Sequence, residues 1–173
     1  MFLDKIPAIT KNGDFNVIIE IPMNSSPVKY EFDKYASAII VDRFIQVSMS
    51  YPCNYGFIPH TLSNDGDPAD ILVITQYPVI PGAIITVRPI GVLMMEDESG
   101  MDEKILAVPI SKLDITFDYI QDIDNVPEML KEKIKHFFEY YKKLEKNKWV
   151  KIVGWENANK AKEIIAEAIA RGG

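Results

Sequence analysis

The chain has 173 residues, 47% of them hydrophobic and 25% charged, enough length and apolar content for a substantial core and too much for a disordered polymer. Nineteen lysines and arginines against 25 aspartates and glutamates leave a formal charge of −6, the wrong sign for a surface built to wrap nucleic-acid phosphates. A single cysteine, Cys53, excludes an intrachain disulfide, and two histidines are too few for a Cys/His zinc site, so oxygen ligands and hard cations such as Mg2+, Mn2+ or Ca2+ are what remain.

The opening stretch MFLDKIPAIT has neither the basic start nor the apolar run of a secretory signal, and a reduced, cytoplasmic protein is the expectation. Phe15 to Ile21 reads as a strand. Val28 to Asp33 alternates, with Val28, Tyr30 and Phe32 on one face and Lys29, Glu31 and Asp33 on the other. Ile39 to Ile45 is a further strand candidate, interrupted by Arg43. The long apolar stretch from Ile71 to Met95 is broken by Pro78, Pro81 and Pro89. It fits two buried strands, Ile71 to Thr75 and Ala83 to Met95, better than a membrane span. Ile105 to Pro109 is the last strand candidate.

From Pro127 the period changes. Leu130, Ile134, Phe137, Phe138, Tyr141 and Leu144 fall at helical spacing, with Asp124 or Asn125 able to cap the start. Asn157 opens a second helix with an Ala161, Ile164, Ile165, Ala168 and Ile169 stripe, ended by Arg171 and the terminal glycines. No repeat or linker divides the chain. The expectation is one α+β, mainly β domain over residues 1–173, a small barrel or curved sheet with two C-terminal helices packed on it.

Four groups of residues could carry chemistry. The stretch NDGDPAD places Asp65, Asp67 and Asp70 within six residues, where one like-charge pair at about 4 Å costs on the order of 4 kcal/mol. Alone it reads as a solvated acidic turn, and counting from Asp65 the EF-hand positions six and twelve hold Asp70 and Gln76, so that motif fails. The segment EDESGMDEK (96–104) reads as a charged hairpin tip, but Asp102 and Lys104, two apart at the start of a strand, share a face. Lys29 and Glu31 also share a face, Glu20 ends a neighbouring strand, and Arg43 offers a fork of donors suited to phosphate. Tyr51 and Tyr55 flank a turn just ahead of the acidic motif, while Tyr141 and Lys142 close the first helix. With no Ser/His or Cys/His pair and no nucleotide-cradling glycine loop, this inventory suits metal-assisted attack of water on a phosphoryl group.

DGDPAD (65–70) resembles the signature of the soluble family I inorganic pyrophosphatases. EIP (20–22), KYE (29–31), DR (42–43), YPCNYG (51–56), Asp97 with Asp102 and Lys104, FFEYYK (137–142), and KWVK (148–151) leading to GWE (154–156) also match that family in order and spacing. The resemblance implies an OB-like five-stranded β-barrel flanked by two C-terminal helices, several Mg2+ ions per active site, and hydrolysis of pyrophosphate to two phosphates. Mn2+ or other divalent ions would substitute. By position, Asp65, Asp70, Asp97 and Asp102 would hold metal, with Glu31 nearby and Glu20 at the edge. Asp67 would accept the proton of the attacking water. Lys29, Arg43, Tyr55, Lys104, Tyr141 and Lys142 would bind phosphate, with Tyr51 in support. A bacterial-type homohexamer in the cytoplasm, with no nucleic-acid or membrane partner, completes the implication. A divalent-cation module, an OB-type oligonucleotide binder and another metal phosphohydrolase are the competing readings. The last would need an apolar or aromatic slot, which the polar inventory does not supply.

Overall fold

The computed structural model describes residues 5–172. Residues 1–4 and Gly173, on which the readings of the N-terminal stretch and of the final glycine partly rest, lie outside the described residues. Strands β1 (Phe15–Ile21), β4 (Asn54–Phe57), β5 (Asp70–Val73), β8 (Lys104–Pro109) and β6 (Ile84–Asp97) form a ring, because β6 pairs back to β1. All contacts in the ring are antiparallel except β5 with β8. This is the closed five-stranded, OB-like barrel. Closure removes the free edges that would otherwise expose unpaired backbone groups.

Three further elements extend it. β9 (Val150–Asn157) pairs with the second half of β6, and the two-residue β7 (Gly100–Met101) folds back on the end of β6. β2 (Val28–Asp33) and β3 (Ala38–Phe44) make a hairpin that, among the described residues, forms no backbone ladder with any other strand. Its register slips between Lys29 and Tyr30, where Asp42 is the extra residue of a bulge in β3 and the alternation of β2 continues unbroken.

Alternate residues of the ring strands enter different apolar clusters. Leu72, Leu93 and Leu106 join Ile134, Phe137, Phe138 and Tyr141 around helix α1 (Glu128–Tyr140). Ile71, Val73, Ile105 and Ala107 join Ala161, Ile164 and Ile165 of helix α2 (Ala158–Gly172). Both faces of these strands are therefore buried, which is why their sequences read as continuous apolar runs. Full burial of a side chain such as Phe138 contributes about 1.5–3 kcal/mol.

Two details differ from the sequence reading. Asp124 and Asn125 do not cap α1, whose first residue follows Pro127 without a side-chain cap. Asn125 Oδ1 instead accepts from the backbone N–H groups of Gln121 and Asp122, closing a capping box on the short 3-10 turn Ile123–Asn125. Asn157 does cap α2, accepting from Lys160 N at 3.0 Å, but Gly172 belongs to that helix rather than ending it.

Gly56 in β4 is required by closeness. A Cβ there would lie 1.9 Å from the Ile18 carbonyl oxygen across the β1–β4 pair. Gly56→Ala is expected to cost about 3 kcal/mol, the upper end for overpacking a tight interior. A fall in the denaturant midpoint at constant m checks it; an unchanged midpoint refutes it.

Candidate active site

A cleft of about 490 Å3 opens between the barrel, the β2–β3 hairpin and the end of α1, and every candidate residue named above lines it. Each reaches it for a local reason. The acidic turn is shaped by its own backbone: Asp65 Oδ1 accepts from Asp67 N at 3.0 Å, Ser63 N donates to Asp67 O at 2.7 Å, and Gly66 takes a left-handed φ of 93°. Below it, Thr61 Oγ accepts from Ala69 N and donates to Ile58 O, which pins the turn to the barrel. Asp70 then begins β5 and Lys104 begins β8, the one parallel neighbour pair of the ring.

Lys104 is the hub. Its ammonium lies 2.5 Å from Asp70 and 2.7 Å from Asp102, and 5.6 Å above the rings of Tyr55 and Phe138. The shared face of Asp102 and Lys104 expected from their spacing is therefore present. Burial alone would lower the Lys104 pKa, but the attraction of Asp70 and its other partners holds it well above the ordinary lysine value. Lys142 reaches Asp97 at 2.8 Å, and Lys148 reaches Glu98 at 2.6 Å. Burial works against the charge of Glu98, yet the hydrogen bond from Lys148 and the nearby Lys142 bring its carboxyl down to about 2. On the hairpin, Lys29 hydrogen-bonds Glu31 and lies 3.2 Å from Asp42. The rings of Tyr51, Tyr55, Phe137, Phe138 and Tyr141 stack at centroid distances of 4.5–6.4 Å, fixing the tyrosines from behind.

Among the described residues, nine carboxylates and six cationic side chains line the cleft. Among the described residues no three His, Cys, Asp or Glu side chains converge closely enough to hold a metal ion, since Lys104 and Lys142 occupy the inner carboxylates. The donor set still fits hard divalent cations: all donors are oxygens, acids outnumber bases, and the acids are strained by their surroundings. Burial, then neighbouring carboxylates, raises Asp65 and Asp102 above the usual range. Burial pushes Glu20 up to about 8, although the Phe32 N–H it accepts at 2.7 Å favours its charged form.

The sign of the Glu20 effect is definite. A carboxyl whose pKa is about 8 in the fold and near 4.5 when unfolded binds more protons in the folded state between those values. Its contribution to stability is present below about pH 4.5 and is lost as pH rises toward 8. In EDTA, the melting temperature of wild type minus that of Glu20→Gln is expected to fall across that window. A flat difference refutes it.

Sequence reasoning did not single out Glu98 and Lys148, which line the cleft, or Asp42 and Glu145, which contact its Lys29 and Arg43 from outside the lining. It also understated the apolar share of the cleft, for Phe32, Tyr35, Ile40 and Phe57 line its hairpin end.

A family model described as inorganic pyrophosphatase matches residues 17–172. The chain is 67% identical over 171 residues to the inorganic pyrophosphatase of Rickettsia bellii, covering 99% of this chain and 98% of that one. It is 59% identical over 154 residues to that of Escherichia coli K12, covering 88% of each. The solved inorganic pyrophosphatase of Coxiella burnetii superposes with a TM-score of 0.94 at 49% identity, covering 97% of this chain and all of the other. A closed five-stranded barrel bearing a cleft of opposed carboxylates and cations defines a phosphoryl-transfer hydrolase. The chain belongs to the inorganic pyrophosphatase family.

Proposed function

We propose that this chain hydrolyses inorganic pyrophosphate to two orthophosphates with Mg2+ as its divalent cofactor. The observation that carries the reading is the cleft itself, where carboxylates for cations and cations for phosphate oxygens face the same space. Asp65, Asp70, Asp97, Asp102, Glu20 and Glu31 would hold the divalent ions, with Mn2+ able to substitute. Bound there, such ions supply Lewis acidity, making water easier to deprotonate and neutralising phosphate charge. Lys29, Arg43, Tyr55, Lys104, Tyr141 and Lys142 bind the phosphate oxygens, and Tyr51 supports Tyr55 through its ring at 5.0 Å.

Water attacks one phosphorus, the bond from that phosphorus to the bridging oxygen breaks, and the second phosphate leaves. Asp67, at the exposed lip of the acidic turn, takes the proton of the attacking water. The leaving phosphate departs among lysines and tyrosines that compensate its charge. The reading includes a cytoplasmic homohexamer without nucleic-acid or membrane partners. Exposed Tyr77, Ile84 and Leu113 around a shallow apolar cleft supply surface for self-association. Among the described residues no helix is long and apolar enough to cross a membrane.

Phosphate release from pyrophosphate by the purified protein tests the reaction, with Mg2+, with EDTA, and with ATP and a phosphomonoester as controls. Rapid, Mg2+-dependent release from pyrophosphate is the expected result. A folded protein that releases none with Mg2+, Mn2+ or Co2+ overturns the reading. The ATP control also decides whether the apolar hairpin end admits an organic group.

A further inference from the structure

Among the described residues, Arg43 is the one cleft-lining guanidinium, and it stands on β3 of the hairpin that shares no ladder with a barrel strand. Its Nη1 lies 3.3 Å from Asp42 Oδ2. Its Nε lies 3.1 Å from Glu145 Oε1, a carboxylate outside the cleft lining in the turn between α1 and β9. The side chains of Arg43 and Glu145 are 34% and 16% exposed, so the pair is only partly open to solvent. The geometry is also incomplete: Arg43 Nε is buried and has no hydrogen-bond partner, because Glu145 sits close but off the N–H direction.

We propose that Glu145 is a positioning residue that clasps Arg43 across the mouth of the cleft. It orients the guanidinium for a phosphate oxygen and ties the hairpin to the segment carrying Tyr141 and Lys142. The inference rests on the pyrophosphatase reading. A carboxylate on Nε leaves phosphate to the terminal nitrogens of the fork, of which Nη1 is shared with Asp42 and Nη2 is not. When phosphate engages those nitrogens, a small turn of the guanidinium brings Nε–H onto Glu145 and satisfies the buried donor. The two contacts then reinforce each other, and the two walls of the cleft are held at a fixed separation. Glu145 N donates to Lys142 O at 3.0 Å, so the clasp bears on the backbone of the opposite cation. Nothing in spacing or periodicity marks Glu145, since it touches the site only through Arg43.

The test compares wild type, Glu145→Ala, Glu145→Gln, Arg43→Lys and the Glu145→Ala/Arg43→Lys double variant in pyrophosphate hydrolysis and in binding of imidodiphosphate. Glu145→Ala is expected to raise both KM and the imidodiphosphate Kd roughly tenfold, the loss of one charge-assisted contact, with a smaller change in kcat. Glu145→Gln, which keeps an acceptor but not the charge, is expected to raise them about threefold. It decides the question if the alanine variant does not fold. In the Arg43→Lys background, which lacks Nε, Glu145→Ala is expected to add nothing. Unchanged KM and Kd in the glutamine and alanine variants, or an equal loss in the lysine background, overturns the clasp alone. A wild-type chain that leaves pyrophosphate intact overturns the pyrophosphatase reading and the clasp with it.

Discussion

Asp67→Asn is expected to lower kcat by roughly 10²–10⁴-fold, the usual worth of a positioned general base, while leaving Mg2+ affinity and melting temperature near wild type. The reason lies in how the turn is built. Its shape depends on the backbone of residue 67, whose N–H donates to Asp65 and whose carbonyl accepts from Ser63. The carboxylate itself is at the exposed lip. An amide of the same shape therefore keeps the turn and loses only the proton acceptor. Steady-state kinetics beside a calorimetric Mg2+ titration separates the two properties. Unchanged turnover would remove Asp67 from the base role, and a large drop in Mg2+ affinity would reassign it to the metal.

The second large effect concerns Lys104. Its side chain is 4% exposed and is shared by Asp70 and Asp102, so Lys104→Met strands two partly buried carboxylates. Removing one partner of a buried ion pair costs about 3–5 kcal/mol. For a chain of this size, about 3 kcal/mol corresponds to a fall in melting temperature of roughly 6–12 °C. The loss is expected in EDTA, and Mg2+ is expected to restore part of it, because divalent cations binding the freed carboxylates stabilise the folded state by mass action. Calorimetry with and without Mg2+ measures both terms. An unchanged melting temperature in EDTA would show that Lys104 is not what makes the carboxylates tolerable.

Much of this was legible before any coordinates. β1 and β2 run as their patterns indicate, because an uninterrupted apolar run or a clean alternation leaves little freedom in register. β4 was hidden within a tyrosine-flanked turn. It has four residues, including Asn54 and Gly56, and is a strand only because β1 and β5 lie on either side of it. β9 was equally obscure, since its exposed face carries Lys151, Glu156 and a glycine, and it is held by β6 rather than by its own pattern. The cap of α1 was misplaced because an asparagine near a helix start can serve either the turn before it or the helix after it. At the site, the residues proposed to meet metal and substrate carry recognisable chemistry in a short stretch. Asp42 and Glu145 carry none, because each lies outside the cleft lining and contacts it only through Lys29 or Arg43.

The course of β6 has a consequence for which amides open first. One edge of this 14-residue strand is taken first by β1 and then by β9, while the opposite edge is taken by β8 and then β7. Its central amides can exchange with deuterium only when several strands separate at once, so they report global unfolding. The β2–β3 hairpin shares no ladder with the barrel and can open alone, at a lower free energy. Deuterium should therefore enter the hairpin long before β6. The wall bearing Lys29 and Arg43 is expected to exchange first, while the wall bearing Asp97, at the end of β6, is expected to keep its amides longest.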